Sequence, residues 1–146
     1  MNAFSLWKLF TGDIVTAIAS VVLVVFSVMS WAVIVEKIRL FRGARRKRPT
    51  GTPDEAIRPF DKNLWFLSMV AYVSPFIGLF GTVWGVMDSF ASIGANQSVS
   101  IGVIAPGLAI ALGTTALGLI VAIPAAIAHQ VFSKRADELY DSMGGK

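Results

Sequence analysis

Apolar residues along this chain do not alternate with polar ones; they run on. Residues 14–35 carry no charge, residues 64–87 carry none, and between 89 and 133 the only ionisable side chain is His129. Each run exceeds the roughly 20 residues that cross a bilayer. A soluble core can bury one helix that is apolar all round, but three such helices would have nowhere to hide their surfaces. The pattern predicts an all-α membrane protein with three transmembrane helices, over about 14–36, 65–93 and 100–131, in a single membrane domain, 1–146. The stretch 37–63 is then a short basic loop. Pro49, Gly51 and Pro53 predict irregular chain within it, and the mixed-charge stretch 54–62 is expected to begin an extension of the second helix after Pro59. The uncharged link at 94–100 is short enough to make spans two and three an antiparallel hairpin, with Ser98 or Ser100 capping the third helix.

Composition sharpens this picture. Only 15% of residues are charged, against about 25% in a soluble domain, and the basic ones cluster. Lys37, Arg39, Arg42, Arg45, Arg46, Lys47 and Arg48 follow the first span, and Lys134 and Arg135 follow the third. Positive loops stay inside, so the N-terminus is expected outside (periplasmic in a bacterium) and the loop and C-terminus inside. Trp7, Trp31 and Trp65 lie near predicted span ends, where aromatic belts sit. The cluster Arg45, Arg46, Lys47 and Arg48 reads as a topology and anionic-lipid anchor rather than as a nucleic-acid site. The first apolar run is longer than the core of a signal peptide and has no small-residue cleavage site after it, so it is expected to be retained. The chain has no cysteine, which excludes disulfide and thiol chemistry. A lone histidine makes no metal site, and no nucleophile–base set or phosphate loop is present. Neither an enzyme, a cofactor nor a metal is expected.

The candidate chemistry lies inside the membrane. Gly78, Gly81 and Gly85 interrupt the second span, although each glycine costs a helix about 1 kcal/mol against alanine. Close helix–helix approach is the reason membranes offer. In the third span Gly107, Ala111 and Thr115 share one face, and Gly118, Ala122 and Ala126 a neighbouring one. Thr82 and Thr115 fall on opposite arms of the hairpin, each among small residues. Either each bonds its own helix, or the two form a shared polar layer beside an ion path. Asp88, near the outer end of span two, is either a solvated interfacial acid or an ion-entry residue. His129, at the inner end of span three, is read as an interfacial polar residue, with a proton-exit role as the alternative.

The segment Ser74-Pro75-Phe76-Ile77-Gly78-Leu79-Phe80-Gly81-Thr82-Val83-Trp84-Gly85-Val86-Met87 resembles the second-helix signature of the ExbB/TolQ/MotA proton-channel family, most closely its ExbB and TolQ branch. Ala105-Pro106-Gly107-Leu108-Ala109, Thr115-Ala116-Leu117-Gly118-Leu119 and Ala122-Ile123-Pro124-Ala125 are similar to its third helix. Ser30 to Lys37 is similar to the end of its first. The resemblance implies a homo-oligomeric ring, a pentamer, in the bacterial inner membrane. That ring would surround the membrane helices of a partner dimer of ExbD or TolR type, whose aspartate takes up and releases protons. Ion flow would drive envelope processes such as import, transport or motility. Thr82 and Thr115 match the family's pore-lining threonines. Two departures stand out. Ile110 occupies the position of the family's third-helix glutamate, and the basic loop is far shorter than is usual. Ile110 keeps a non-conducting scaffold ring as an alternative, and an independent small transporter is a third reading.

Overall fold

The computed structural model describes residues 14–46, 52–96 and 101–144. Four helices follow in order: α1 (Ile14–Arg46), α2 (Pro53–Asp61), α3 (Leu64–Asn96) and α4 (Ile101–Ser142). Among the described residues three helices are long and apolar enough to cross a membrane, as the charge-free runs require. They are longer than the spans 14–36, 65–93 and 100–131 that the pattern predicts. At 1.5 Å per residue, α1 and α3 reach about 50 Å and α4 about 63 Å, well beyond a hydrocarbon core of about 30 Å. At the end of α4, helix continues past the apolar stretch because Lys134 to Tyr140 hold no glycine or proline to stop it. Trp7, Lys47, Arg48, Ser98 and Ser100 lie outside the described residues.

The basic loop differs from expectation in one respect. Stretch 53–61 is a separate short helix, not a lead-in to α3. Its first turn takes Pro53 without penalty, since the first N–H groups of a helix have no internal partner. Pro59 sits inside it. The chain then breaks at Lys62 and Asn63, and Asn63 adopts φ 67°, a left-handed conformation that asparagine tolerates better than most residues. Lys37 of α1 fastens this break. Its side chain is fully buried, and Nζ donates to the carbonyls of Pro59 and Phe60 at 2.8 Å each. Those are terminal carbonyls of α2, which have no partner within the helix, and a cation there also faces the negative end of the helix dipole.

α3 and α4 form the antiparallel hairpin, and α1 packs along it. The buried positions recur every three or four residues. On α4 they include Ala111, Thr114, Gly118, Val121, Ala125, Ala128, Phe132 and Ala136. On α3 they include Leu67, Val70, Ser74, Gly78, Gly81 and Gly85. Side chains between the helices grow along the bundle. At one end glycine, alanine, serine and threonine let backbones touch. At the basic-loop end Phe41 stacks on Phe132, with centroids 5.7 Å apart, and tilts against Phe60 at 4.6 Å. Outward faces stay apolar, with Phe76, Phe90 and Ile120 all about two-thirds exposed, as lipid-facing or subunit-facing surfaces are.

The closest approach is between Gly78 and Gly118. A Cβ at Gly78 would stand 2.7 Å from the Thr114 carbonyl oxygen and 3.2 Å from the Gly118 Cα. A Cβ at Gly118 would stand 2.7 Å from the Ser74 carbonyl oxygen. Gly85 meets the Ala111 Cβ and Gly107 meets the Ser89 hydroxyl at the same 2.7 Å. A Cβ at Gly81 would stand 2.8 Å from the Thr114 Oγ1, so this glycine meets a side chain rather than a backbone. Small residues close α3 on α4, with the Thr114 side chain over Gly81.

Two outcomes follow from this packing. Gly78→Ala forces backbones apart and should destabilise the bundle by about 1–3 kcal/mol. Gly113→Ala has nothing within 4 Å and should stabilise by up to about 1 kcal/mol through helix propensity. Unfolding midpoints in detergent would compare them, and equal effects would contradict the Gly78–Gly118 contact. Lys37→Met should leave two α2 carbonyls without donors, at about 1–3 kcal/mol. Amide exchange should then quicken across residues 53–63 and stay unchanged in the middle of α4.

Candidate functional site

Thr82 of α3 and Thr115 of α4 come together, the second of the two arrangements the sequence left open. Their hydroxyls are in direct hydrogen-bond contact. Thr82 Oγ1 also donates to the Ala111 carbonyl at 2.8 Å, a better bond than the 3.3 Å one to its own Gly78 carbonyl. Thr115 Oγ1 reaches the Gly78 carbonyl at 3.2 Å. So neither threonine merely folds back on its own helix; each reaches across. This is possible because Gly78 and Gly81 carry no side chain to hold α4 away.

A third hydroxyl completes the junction. Thr114 Oγ1 lies 2.6 Å from the Ala111 carbonyl and 3.3 Å from the Gly78 carbonyl. Thr114 is buried, whereas Thr82 and Thr115 are half-buried. Sequence reading passed over Thr114. Its signal was available: it lies three residues after Ala111 and four before Gly118, on the buried stripe.

The geometry has a chemical consequence. Each hydroxyl has one proton and two acceptor lone pairs. If Thr115 donates to Thr82 and Thr82 to Ala111, the Thr115 oxygen has free lone pairs and accepts from outside. If Thr82 donates to Thr115, the Thr115 proton is free to point outward or to the Gly78 carbonyl. The pair can therefore present either a donor or an acceptor on its open side by rotating two O–H bonds. A carboxyl that alternates between charged and neutral needs such a surface.

The other candidates lie apart from this junction. Asp88 is exposed; helix geometry sets it about 9 Å further along α3 and about a third of a turn round. Ile110 is 45% exposed on α4, about 140° round from Thr115. His129 is half-buried four turns away toward the basic-loop end. Gly107, Ala111 and Gly118 serve the hairpin, Ala122 is buried with them, and Ala126 is exposed. Arg45 and Arg46 end α1. No group of three or more metal-ligating side chains occurs among the described residues.

These features define a multi-pass membrane helix bundle with a polar junction inside its tightest packed hairpin. Residues 51–144, the hairpin and its lead-in, match the model of the MotA/TolQ/ExbB proton channel family. The chain belongs to that family. Relatives place it in the ExbB and TolQ branch. It is 43% identical over 79 residues to the biopolymer transport protein ExbB of Salmonella typhimurium, covering 54% of this chain and 32% of that one. It is 48% identical over 79 residues to the Tol-Pal system protein TolQ of Pseudomonas aeruginosa, covering 54% and 34%. Pseudomonas putida ExbB is 50% identical over 68 residues, covering 47% and 21%. The chain thus matches about a third or less of the length of these relatives. Family and spans together make it a multi-pass protein of the bacterial inner membrane.

Proposed function

We propose that this chain is the ring-forming subunit of a proton-driven motor of the inner membrane, which couples ion flow to transport or other work on the envelope. Its N-terminus lies in the periplasm and its C-terminus in the cytoplasm. Several copies, five by the family resemblance, enclose the membrane helices of an ExbD- or TolR-like partner dimer. Thr82 and Thr115 face the partner's membrane aspartate, Asp88 stands at the outer mouth, and the Arg45–Arg48 cluster anchors to anionic lipid.

One observation carries this reading: the half-buried Thr82–Thr115 pair, which spans two helices and is open on one side. A purely structural pair would be as buried as Thr114. The names of the relatives, biopolymer transport and the Tol-Pal system, supply the class of work. Ile110 favours a second reading. With no third-helix carboxylate, the ring could hold partner helices without passing ions.

Removing the hydroxyls distinguishes the two. Alanine is the right replacement, because a methyl group in place of Thr82 Oγ1 would stand 2.8 Å from the Ala111 carbonyl oxygen. Thr82→Ala and Thr115→Ala should each change bundle stability little, since membrane hydrogen bonds average about 0.6 kcal/mol. Partner-dependent proton uptake by liposomes should fall about tenfold or more, as a bond to a charged group is worth about 1.5–3 kcal/mol. Full uptake by the double variant would refute the assignment. Absence of uptake by the unaltered protein with its partner would favour the scaffold. Ile110→Glu should assemble normally if that position faces a hydrated pore, and express poorly if it faces lipid.

A further inference from the structure

Three hydroxyls converge on two carbonyls at the hairpin junction. The Ala111 carbonyl already accepts the helical N–H of Thr115, four residues on. Two hydroxyls reach it as well: Thr114 Oγ1 from its own helix at 2.6 Å, and Thr82 Oγ1 from α3 at 2.8 Å. A carbonyl oxygen has two lone pairs, so one of these two hydroxyls finds no lone pair of its own. The other backbone acceptor in reach is the Gly78 carbonyl. Thr82 and Thr114 approach it at 3.3 Å and Thr115 at 3.2 Å, so its bonds are the weaker ones.

Thr114 holds the key position in this competition. It is 4% exposed, so bulk water offers its hydroxyl no alternative. Its oxygen occupies space that Gly81 leaves empty, since a Cβ there would stand 2.8 Å away. From that one place it reaches both carbonyls. It can change acceptor by turning its O–H bond, with no heavy atom moving.

Two arrangements follow. When Thr114 donates to Ala111, Thr82 turns its proton to Thr115, and the Thr115 proton is left for the open side or for the Gly78 carbonyl. When Thr114 donates to Gly78, Thr82 donates to Ala111 and Thr115 donates to Thr82. The open side then shows Thr115 lone pairs. No proton is gained or lost between the two arrangements; three O–H bonds rotate. Thr114 lies closer to Ala111 than to Gly78, so the first arrangement is the resting one.

We infer that Thr114 is a positioning residue, whose hydroxyl sets whether the Thr82–Thr115 pair offers a donor or an acceptor on its open side. This rests on the reading that a partner carboxyl faces the pair. A donor there favours the charged carboxylate, and an acceptor favours the neutral acid. Ionisable side chains of the chain itself lie at a distance. Asp88 is about 9 Å along α3 from Thr82 and Tyr72 about 15 Å the other way, both exposed, and His129 is about 21 Å along α4 from Thr115. The described part of α1 carries no charge before Glu36.

Two measurements test this, one on the chain alone and one with the partner. Melting of the full chain in detergent compares Thr82→Ala, Thr114→Ala and the double variant. If the two hydroxyls compete, each covers for the other at Ala111, and the double variant should lose clearly more than the two single losses together. Additive losses would overturn the competition. In liposomes with the ExbD- or TolR-like partner, Thr114→Ala removes the competitor and leaves the pair in its second arrangement. The pH of half-maximal proton uptake should then rise by about one unit, because the partner carboxylate loses a hydrogen bond. Thr114→Ser keeps the hydroxyl and should keep the midpoint of the unaltered protein. Lower uptake by Thr114→Ala at an unmoved midpoint would overturn the positioning role in favour of a structural one. Absence of uptake by the unaltered protein would overturn the motor reading and this role with it, while the melting data would still decide the competition at Ala111.

Discussion

The contact of Gly78 with Gly118 is the constraint on which the hairpin depends. Two helix backbones meet there with no side chain between them. In lipid this cannot be driven by the hydrophobic effect, because leaving lipid for a protein surface gains nothing of that kind. Dispersion between closely matched surfaces drives it, and that attraction falls steeply with separation. The glycines lose helix propensity to gain this contact. They also place carbonyls of one helix within reach of hydroxyls on the other, so the threonine junction is a direct product of the close approach.

The same contact organises the rest of the bundle by contrast. Small residues close one end of the hairpin, and bulky ones fill the other, where α1 and α2 add Phe41 and Phe60 to Phe132. At that end a different interaction takes over. Lys37 is buried at the end of α2, and its ammonium replaces lost water with two carbonyls. A bundle with one dry, tight end and one filled, capped end has little freedom to slide. The side chains of α3 and α4 are thereby held at fixed heights relative to one another.

Two sets of hydrogen-bonded hydroxyls in the hairpin contrast with each other. Thr114 and Ser89 are bonded to backbone carbonyls and buried. Thr82 and Thr115 are bonded across helices yet half-open. The first set acts only inside the bundle. The second retains unused hydrogen-bonding capacity at a surface, and that is what a passing proton or a partner carboxyl can use. Family membership and this local asymmetry point the same way, though each comes from a different kind of observation.

The three spans and their hairpin were legible along the chain, whereas for Thr82 and Thr115 the chain left both an own-helix bond and a shared layer open. Charge-free runs leave no alternative to a membrane, and glycine at four-residue spacing has few uses other than close packing. The helix in 53–61 was not legible. Pro59 reads as a breaker, and the short helix is held by contacts distant in sequence: the Lys37 ammonium at its end, from 22 residues away, and Phe41 against Phe60. The difference between Thr114 and its neighbour Thr115 was also hidden. Adjacent residues differ by 100° around a helix, and which of them faces the interior depends on where α1 lies across the hairpin. Sequence by itself determined which segments enter the membrane and which surfaces are small enough to touch. Tertiary structure alone decided which hydroxyls are spent on the fold and which stay open, because that is fixed by three helices meeting at once, and no single helix carries the information.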